Sequence, residues 1–222
     1  MNTLYERNGL IFWDQEAIRV RKICEDYFAS KLEQNLRSQN GAFYFMQIEA
    51  PILTPASFVN PQYTAEDIYT TSDELVLRPE TTMGSYAYAR HLLTHHNKTR
   101  LPFVVWQHGL SFRREQDQVT KNMRLKQFYQ LEFQILFSPK TANDYSVSMI
   151  PAVQEMISNL IGPCRVEPSD RIPNYAEWTQ DIVHESSNME VCSMSKRKDF
   201  DLASVLEVAI GTDRCVYHFM NK

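Results

Sequence analysis

Residues 109–137, GLSFRREQDQVTKNMRLKQFYQLEFQILF, decide how the rest of the chain is read. Leu131, Phe133, Ile135 and Phe137 alternate with Glu and Gln, the period-two pattern of a strand with one buried face. Upstream, residues 103–112 are apolar and β-prone, and the polar, turn-rich segment 116–122 lies between the two runs. The spacing predicts a long antiparallel hairpin. Near its loop the hairpin presents Arg113, Arg114, Glu115, Arg124 and Phe128.

These side chains suit a nucleotide. An arginine fork grips phosphate through paired charge-assisted hydrogen bonds. A carboxylate accepts from the exocyclic amine of adenine, and a phenylalanine ring stacks on a purine face. Residue types alone also allow a plain reading, in which Arg113 and Glu115 pair on the surface and Phe128 is core.

Order and spacing add to this. Phe112-Arg113-x-Glu115, a variable loop, Arg124-x-x-x-Phe128 and a strand carrying Glu132 resemble the second signature motif of class II aminoacyl-tRNA synthetases, most closely that of glycyl-tRNA synthetase. Other segments resemble the same family. LRPETTMG, residues 77–84, is similar to the glycyl LRPETAQG segment. KRKDFDL, residues 196–202, is similar to NRTDFDL. EVCSMS, residues 190–195, resembles the seryl segment EVSSCS. VLEVAIGTDR, residues 205–214, resembles the third motif, GxGxxR, and the glycyl form EPSFGIGR.

Outward from the hairpin, Asp14 is an N-cap for a helix to about residue 39. Val20, Cys24, Phe28, Leu32 and Leu36 form its apolar stripe, with Ile23 and Tyr27 alongside, and Asn40-Gly41 ends it. Residues 43–53 read as a strand that is an edge or ends at Pro51, because proline cannot donate to a ladder. Helix followed by strand resembles the first class II motif, the dimer interface of that family. Residues 55–72 form a polar loop expected to cover a cleft. Residues 75–77 are a short strand and 82–96 a helix with Tyr86, Ala89 and Leu93 on one side.

Beyond the hairpin, 141–160 reads as a helix that Pro151 either enters in its first turns or splits. Residues 161–178, with three prolines, read as irregular. Alternation in 189–202 places Glu190, Cys192 and Met194 on one strand face. Residues 205–210 are a strand, Gly211 a tight turn that lets backbone approach nucleotide, and Asp213 the start of a helix whose N-terminal amides add positive potential.

The 222 residues are enough for a substantial core. The net charge of −4 gives no global basic field for nucleic acid. The dense basic patches are Arg19-Val20-Arg21-Lys22 and Lys196-Arg197-Lys198. Four scattered cysteines without a CxxC pair argue against a zinc ribbon and fit reduced thiols. With no signal-peptide pattern and no membrane-length apolar run, the expectation is a cytoplasmic protein without a membrane partner.

The resemblance implies an α+β fold, an antiparallel sheet of about six strands flanked by helices. Residues 1–222 would form one catalytic domain of the class II type, in a homodimer. It further implies activation of an amino acid, glycine, by ATP, and transfer from the adenylate to the acceptor end of tRNA. Arg113 and Arg214 would be catalytic. Arg113, Glu115, Arg124, Phe128, Glu190 and Arg214 would bind ATP, Glu190 and Ser193 would hold Mg2+, and Glu80, Glu132 and Glu207 would ring the ammonium of the amino acid. The chain departs from the glycyl pattern at Ala209 (serine there), Gln127 (acid) and Cys192 (acid). Nothing in the 222 residues resembles an anticodon-binding domain. An adenylate-forming relative with another acceptor, such as a carrier protein, and a non-catalytic accessory paralogue remain as alternatives.

Overall fold

The computed structural model describes residues 4–40, 43–96, 99–114, 123–139 and 145–222. A short hairpin, β1 (Leu4–Arg7) and β2 (Leu10–Trp13), leads into α1 (Gln15–Asn40). Asp14 caps α1: its Oδ1 accepts from the Ala17 N–H at 2.8 Å, satisfying one of the first turn's free donors. Val20, Cys24, Phe28, Leu32 and Leu36 are buried as the stripe predicts. Ile23 is 47% exposed instead; it lies about 100° around the helix from Cys24, off the covered stripe. Gly41 lies outside the described residues.

Next come β3 (Tyr44–Gln47), β4 (Leu53–Pro55), β5 (Tyr69–Thr70), β6 (Leu75–Leu77) and α2 (Thr82–His95). The hairpin is β7 (Phe103–Phe112) and β8 (Gln127–Phe137), paired antiparallel from Phe103↔Leu136 to Phe112↔Gln127. Then follow α3 (Tyr145–Ile161), β9 (Cys164–Pro168), β10 (Ala176–His184), β11 (Met189–Arg197), β12 (Ser204–Gly211) and α4 (Thr212–Met220). Seven strands form the main sheet in the order β3-β7-β8-β12-β11-β10-β9. All neighbours are antiparallel except β3 and β7, which run parallel. A second small sheet has the order β4-β6-β5. This is the expected mixed fold, a mostly antiparallel sheet flanked by helices. Among the described residues no helix is long and apolar enough to cross a membrane.

Side-chain alternation divides the sheet into two faces. Trp106, Leu131, Phe133, Ile135, Met194, Leu206, Val208 and Ile210 face one way and pack with α1, α3 and α4 into the large core. Phe103, Val105, Leu136 and Val205 face the other way, against α2. The polar residues that alternate with the core on β8 are not solvated: Glu132 is 2% and Gln134 0% exposed.

One local expectation changes and two open ones resolve. Residues 161–178 are not irregular throughout, because β9 forms an edge strand against β10. Its prolines sit at or beyond the strand end, where no donor is needed. β3 stops at Gln47, short of Pro51, and is an edge strand of the main sheet. Helix α3 runs unbroken through Pro151.

Candidate active site

The sheet face opposite the large core carries a buried polar field. Its frame begins at the loop between β6 and α2. Arg78, 5% exposed, donates from Nε to the Leu110 carbonyl at 2.8 Å and from Nη1 to the Ala50 carbonyl at 2.7 Å. A Cβ at Gly109 would collide with this guanidinium, so the glycine in the hairpin seats Arg78. Gln107 on β7 donates to the Thr81 carbonyl and the Ser85 hydroxyl, both at 2.8 Å, fixing the start of α2. Glu80 is thereby held over the sheet.

Glu80, Glu132 and Glu207 line one cavity of about 320 Å³. Thr82 Oγ1 lies 3.1 Å from Glu132 Oε2 and 2.8 Å from Glu207 Oε2, within donating reach of both. Thr81 also donates to Glu132. Glu207 further accepts from Gln134 Nε2 at 2.7 Å and pairs with Arg197 Nη1 at 2.8 Å. The Tyr63 hydroxyl donates to Glu80 Oε2 at 3.2 Å. Glu80 Oε1 is buried and has no hydrogen-bond partner. Burial pushes Glu132 up to about 7, and the charges of Glu207 and Glu80 push the same way. Burial also raises Glu80, against the pull of Arg197. Glu80 and Glu132 are therefore short of positive charge, and an unpaired acceptor on Glu80 waits beside them. A small cationic donor such as an ammonium fits that deficit.

Arg113, Arg124, Phe128, Glu190, Ser193 and Arg214 line the same cavity. The Arg113 guanidinium lies 5.2 Å from the Phe128 ring centroid and 5.5 Å from that of Tyr63, and its Nε donates to the Pro79 carbonyl at 3.1 Å. Arg214 Nη1 donates to the Glu190 carbonyl at 2.6 Å and lies 3.7 Å from Glu190 Oε1. Every predicted site residue within the described residues reaches this cavity. Glu115 lies outside them.

Two expectations on the late strands fail. Simple alternation would separate Glu190 from Ser193 and group it with Cys192 and Met194. Instead Cys192 and Met194 pack in the core, while Glu190 and Ser193 share the cavity. The cause is a bulge: β10 advances from Ile182 to Val183 while β11 moves from Cys192 to Glu190, leaving Val191 extra. Gly211 is extended (φ −74°, ψ 92°), not a tight turn, and a Cβ there would make ordinary contacts.

The Lys196-Arg197-Lys198 run is not a surface patch either. Lys196 and Arg197 are 7% and 3% exposed, and Arg197 pairs with Asp199 at 2.6 Å as well as with Glu207. Glu207 and Asp199 hold its guanidinium firmly protonated despite burial. Parity along β11 carries this signal, since Ser193, Ser195 and Arg197 fall on one face. Tyr63, Tyr175 and Asp213 also line or adjoin the cavity. Tyr63 and Tyr175 arrive from loops, and no sequence pattern separates them from the other aromatics.

Glu190 and Ser193 offer hard oxygens, the donor type magnesium takes. Among the described residues no group of three or more His, Cys, Asp or Glu is arranged for a metal. Oxygens of a bound phosphate would have to complete such a shell, as is common for magnesium.

The family model for the tRNA synthetase class II core domain (G, H, P, S and T) matches residues 63–215. The glycine–tRNA ligase of Mycoplasma capricolum is 29% identical over 139 residues, covering 59% of this chain and 30% of its own length. That of Mycobacterium bovis is 27% identical over 176 residues, covering 74% of this chain and 36% of its own length. The chain thus spans about a third of the length of these ligases. A solved prolyl-tRNA synthetase from Cryptosporidium parvum, complexed with halofuginone and AMPPNP, superposes with a TM-score of 0.76 at 12% identity, covering 98% of this chain and 49% of its own. The pyrrolysyl-tRNA synthetase of Desulfitobacterium hafniense superposes with a TM-score of 0.67 at 16% identity, covering 93% and 70%. At these identities the structural likeness is one of fold.

Proposed function

This chain belongs to the class II tRNA synthetase core-domain family, and from that premise we propose that it activates glycine with ATP and passes the glycyl group to the acceptor end of tRNA. The observation that carries the reading is the meeting of three arginines and an aromatic ring with three buried carboxyl groups, two of them raised by burial, in one cavity. One set of groups suits a triphosphate and a base, the other the ammonium of an amino acid. Carboxyl groups crowded around that ammonium disfavour a large substituent on the α-carbon.

In this reading an oxygen of the glycine carboxylate attacks the α-phosphorus. The bond from that phosphorus to the bridging oxygen breaks, and pyrophosphate leaves with the electron pair. Negative charge grows on phosphoryl oxygens, so fixed cations and positioning supply the catalysis. Arg113 neutralises the α-phosphate and orients the attacking carboxylate. Arg124 and Arg214 hold the outer phosphates, and Phe128 stacks on adenine. Glu80, Glu132 and Glu207 fix the ammonium. Glu190 and Ser193 offer oxygens to a magnesium ion, which would neutralise phosphate charge. A homodimer belongs to this reading, and exposed apolar residues on β2, α1 and edge strand β3 (Phe12, Ile23 and Tyr44) are surface it could cover.

The test is exchange of labelled pyrophosphate into ATP with each of the twenty amino acids in turn, followed by charging of total tRNA. Glycine-dependent exchange is expected, abolished in Arg113→Ala with the fold retained. Exchange driven by a different amino acid, or undiminished in Arg113→Ala, overturns the assignment.

A further inference from the structure

Strand β12 stops pairing with β8 at Gly211↔Gln130. The next β8 residue, Tyr129, directs its N–H to the side that β12 has left. There the Asp213 side chain takes over: Oδ2 accepts from the Tyr129 N–H at 2.7 Å. One residue on, Arg214 reaches the other way, to the Glu190 carbonyl on β11 at 2.6 Å. The first turn of α4 therefore grips both neighbours of β12. The Tyr129 ring lies 3.8 Å from the Arg21 guanidinium of α1, so the residue is held at backbone and side chain. Phe128, its neighbour, lines the cavity.

We propose that Asp213 is a positioning residue for nucleotide: it extends the β12 ladder by one bond and so sets the backbone that aims Phe128 at the base. The arrangement is costly for the fold alone. Asp213 is 3% exposed, and its Oδ1 is buried without a partner. Burial raises its carboxyl to about 7 in spite of the Tyr129 bond. An under-satisfied buried acid beside a cavity calls for a role other than stability. The adjacent Arg214 makes the same turn contribute a cation, so one turn sets both the ring and the guanidinium.

This inference rests on the nucleotide reading of the cavity, and two readouts separate them. ATP affinity is measured by calorimetry for the wild type, Asp213→Ala and Asp213→Asn. Exchange of the Tyr129 amide proton is followed by NMR without ligand. Asparagine keeps an acceptor, so its ATP affinity stays within about twofold of wild type, while alanine weakens it about fivefold, the order expected for one hydrogen bond. Glycine affinity changes in neither variant. The Tyr129 amide exchanges about fivefold or more faster in Asp213→Ala. Equal ATP affinity in wild type and alanine variant, or an asparagine variant as weak as alanine, overturns the proposal. No ATP binding by the wild type overturns the nucleotide reading and the proposal with it. Unchanged Tyr129 exchange in Asp213→Ala refutes the bond itself. Should the alanine variant not fold, a Tyr129 amide that exchanges freely in the wild type does the same.

Discussion

Replacing Arg197 with methionine tests the electrostatic frame of the site without assuming any substrate. The Arg197 side chain is 0% exposed and bonds Glu207 at 2.8 Å and Asp199 at 2.6 Å. Asp199 is 22% exposed at the side chain, so water replaces much of what it loses. Glu207 is 6% exposed and cannot recover in that way. Breaking a buried pair by removing one partner costs about 3–5 kcal/mol. Gln134 and Thr82 still donate to Glu207, which puts the expected cost near the lower end. At roughly 2–4 °C per kcal/mol for a chain of this size, melting falls by about 6–12 °C at pH 8. The gap narrows toward pH 6. Loss of the guanidinium raises the proton affinity of Glu80 and Glu132 further, and proton uptake replaces the missing charge. Adding Glu207→Gln to Arg197→Met recovers more than half of the loss. The assay is thermal unfolding by circular dichroism at both pH values. An Arg197→Met protein melting within about 2 °C of wild type at pH 8 would refute the reasoning.

Glu132→Gln addresses the raised carboxyl directly. A group whose folded pKa lies above its unfolded value contributes stability that is complete below about 4.5 and lost as pH rises through about 7. Wild type therefore loses stability from pH 5 to 8 more steeply than the variant; melting curves that stay parallel would rule this out. Asp14→Ala removes the α1 cap and costs about 1 kcal/mol, read as a denaturation midpoint shift at unchanged slope. All four cysteines are buried and free, and burial pushes Cys24 up to about 12. A thiol reagent should label none of them in the native protein and all four after unfolding, and fast labelling under native conditions would contradict that burial.

Much of this was legible because two periodicities carry strong signals. The α1 stripe repeats at helical spacing, and Asp14 stands where a cap belongs. On β8, Leu131 to Ile135 alternate cleanly with polar residues, and the core lies where the apolar ones point. What alternation could not say was that the second face of β8 is also buried, since Glu132 and Gln134 look like solvated residues until a partner layer covers them. Strand β9 is not legible in the sequence because its charged residues and flanking prolines resemble a loop, and only pairing with β10 makes it a strand. The shared face of Glu190 and Ser193 depends on an extra residue in the ladder, which no period-two pattern encodes. Arg197 read as part of a basic run because three adjacent cations look solvated. Its burial follows from acids that lie far away in sequence.

The β8–β12 pairing has a kinetic consequence. It joins two parts of the main sheet, β3, β7 and β8 on one side and β9 to β12 on the other. Closing that seam brings Phe137 beside Ser204, a long loop whose entropy must be overcome before contacts reward it. Neither half holds the cavity, because Arg113, Phe128 and Glu132 come from one and Glu190, Glu207 and Arg214 from the other. Binding competence therefore requires that pairing, and its appearance during refolding reports when the two parts of the sheet have joined.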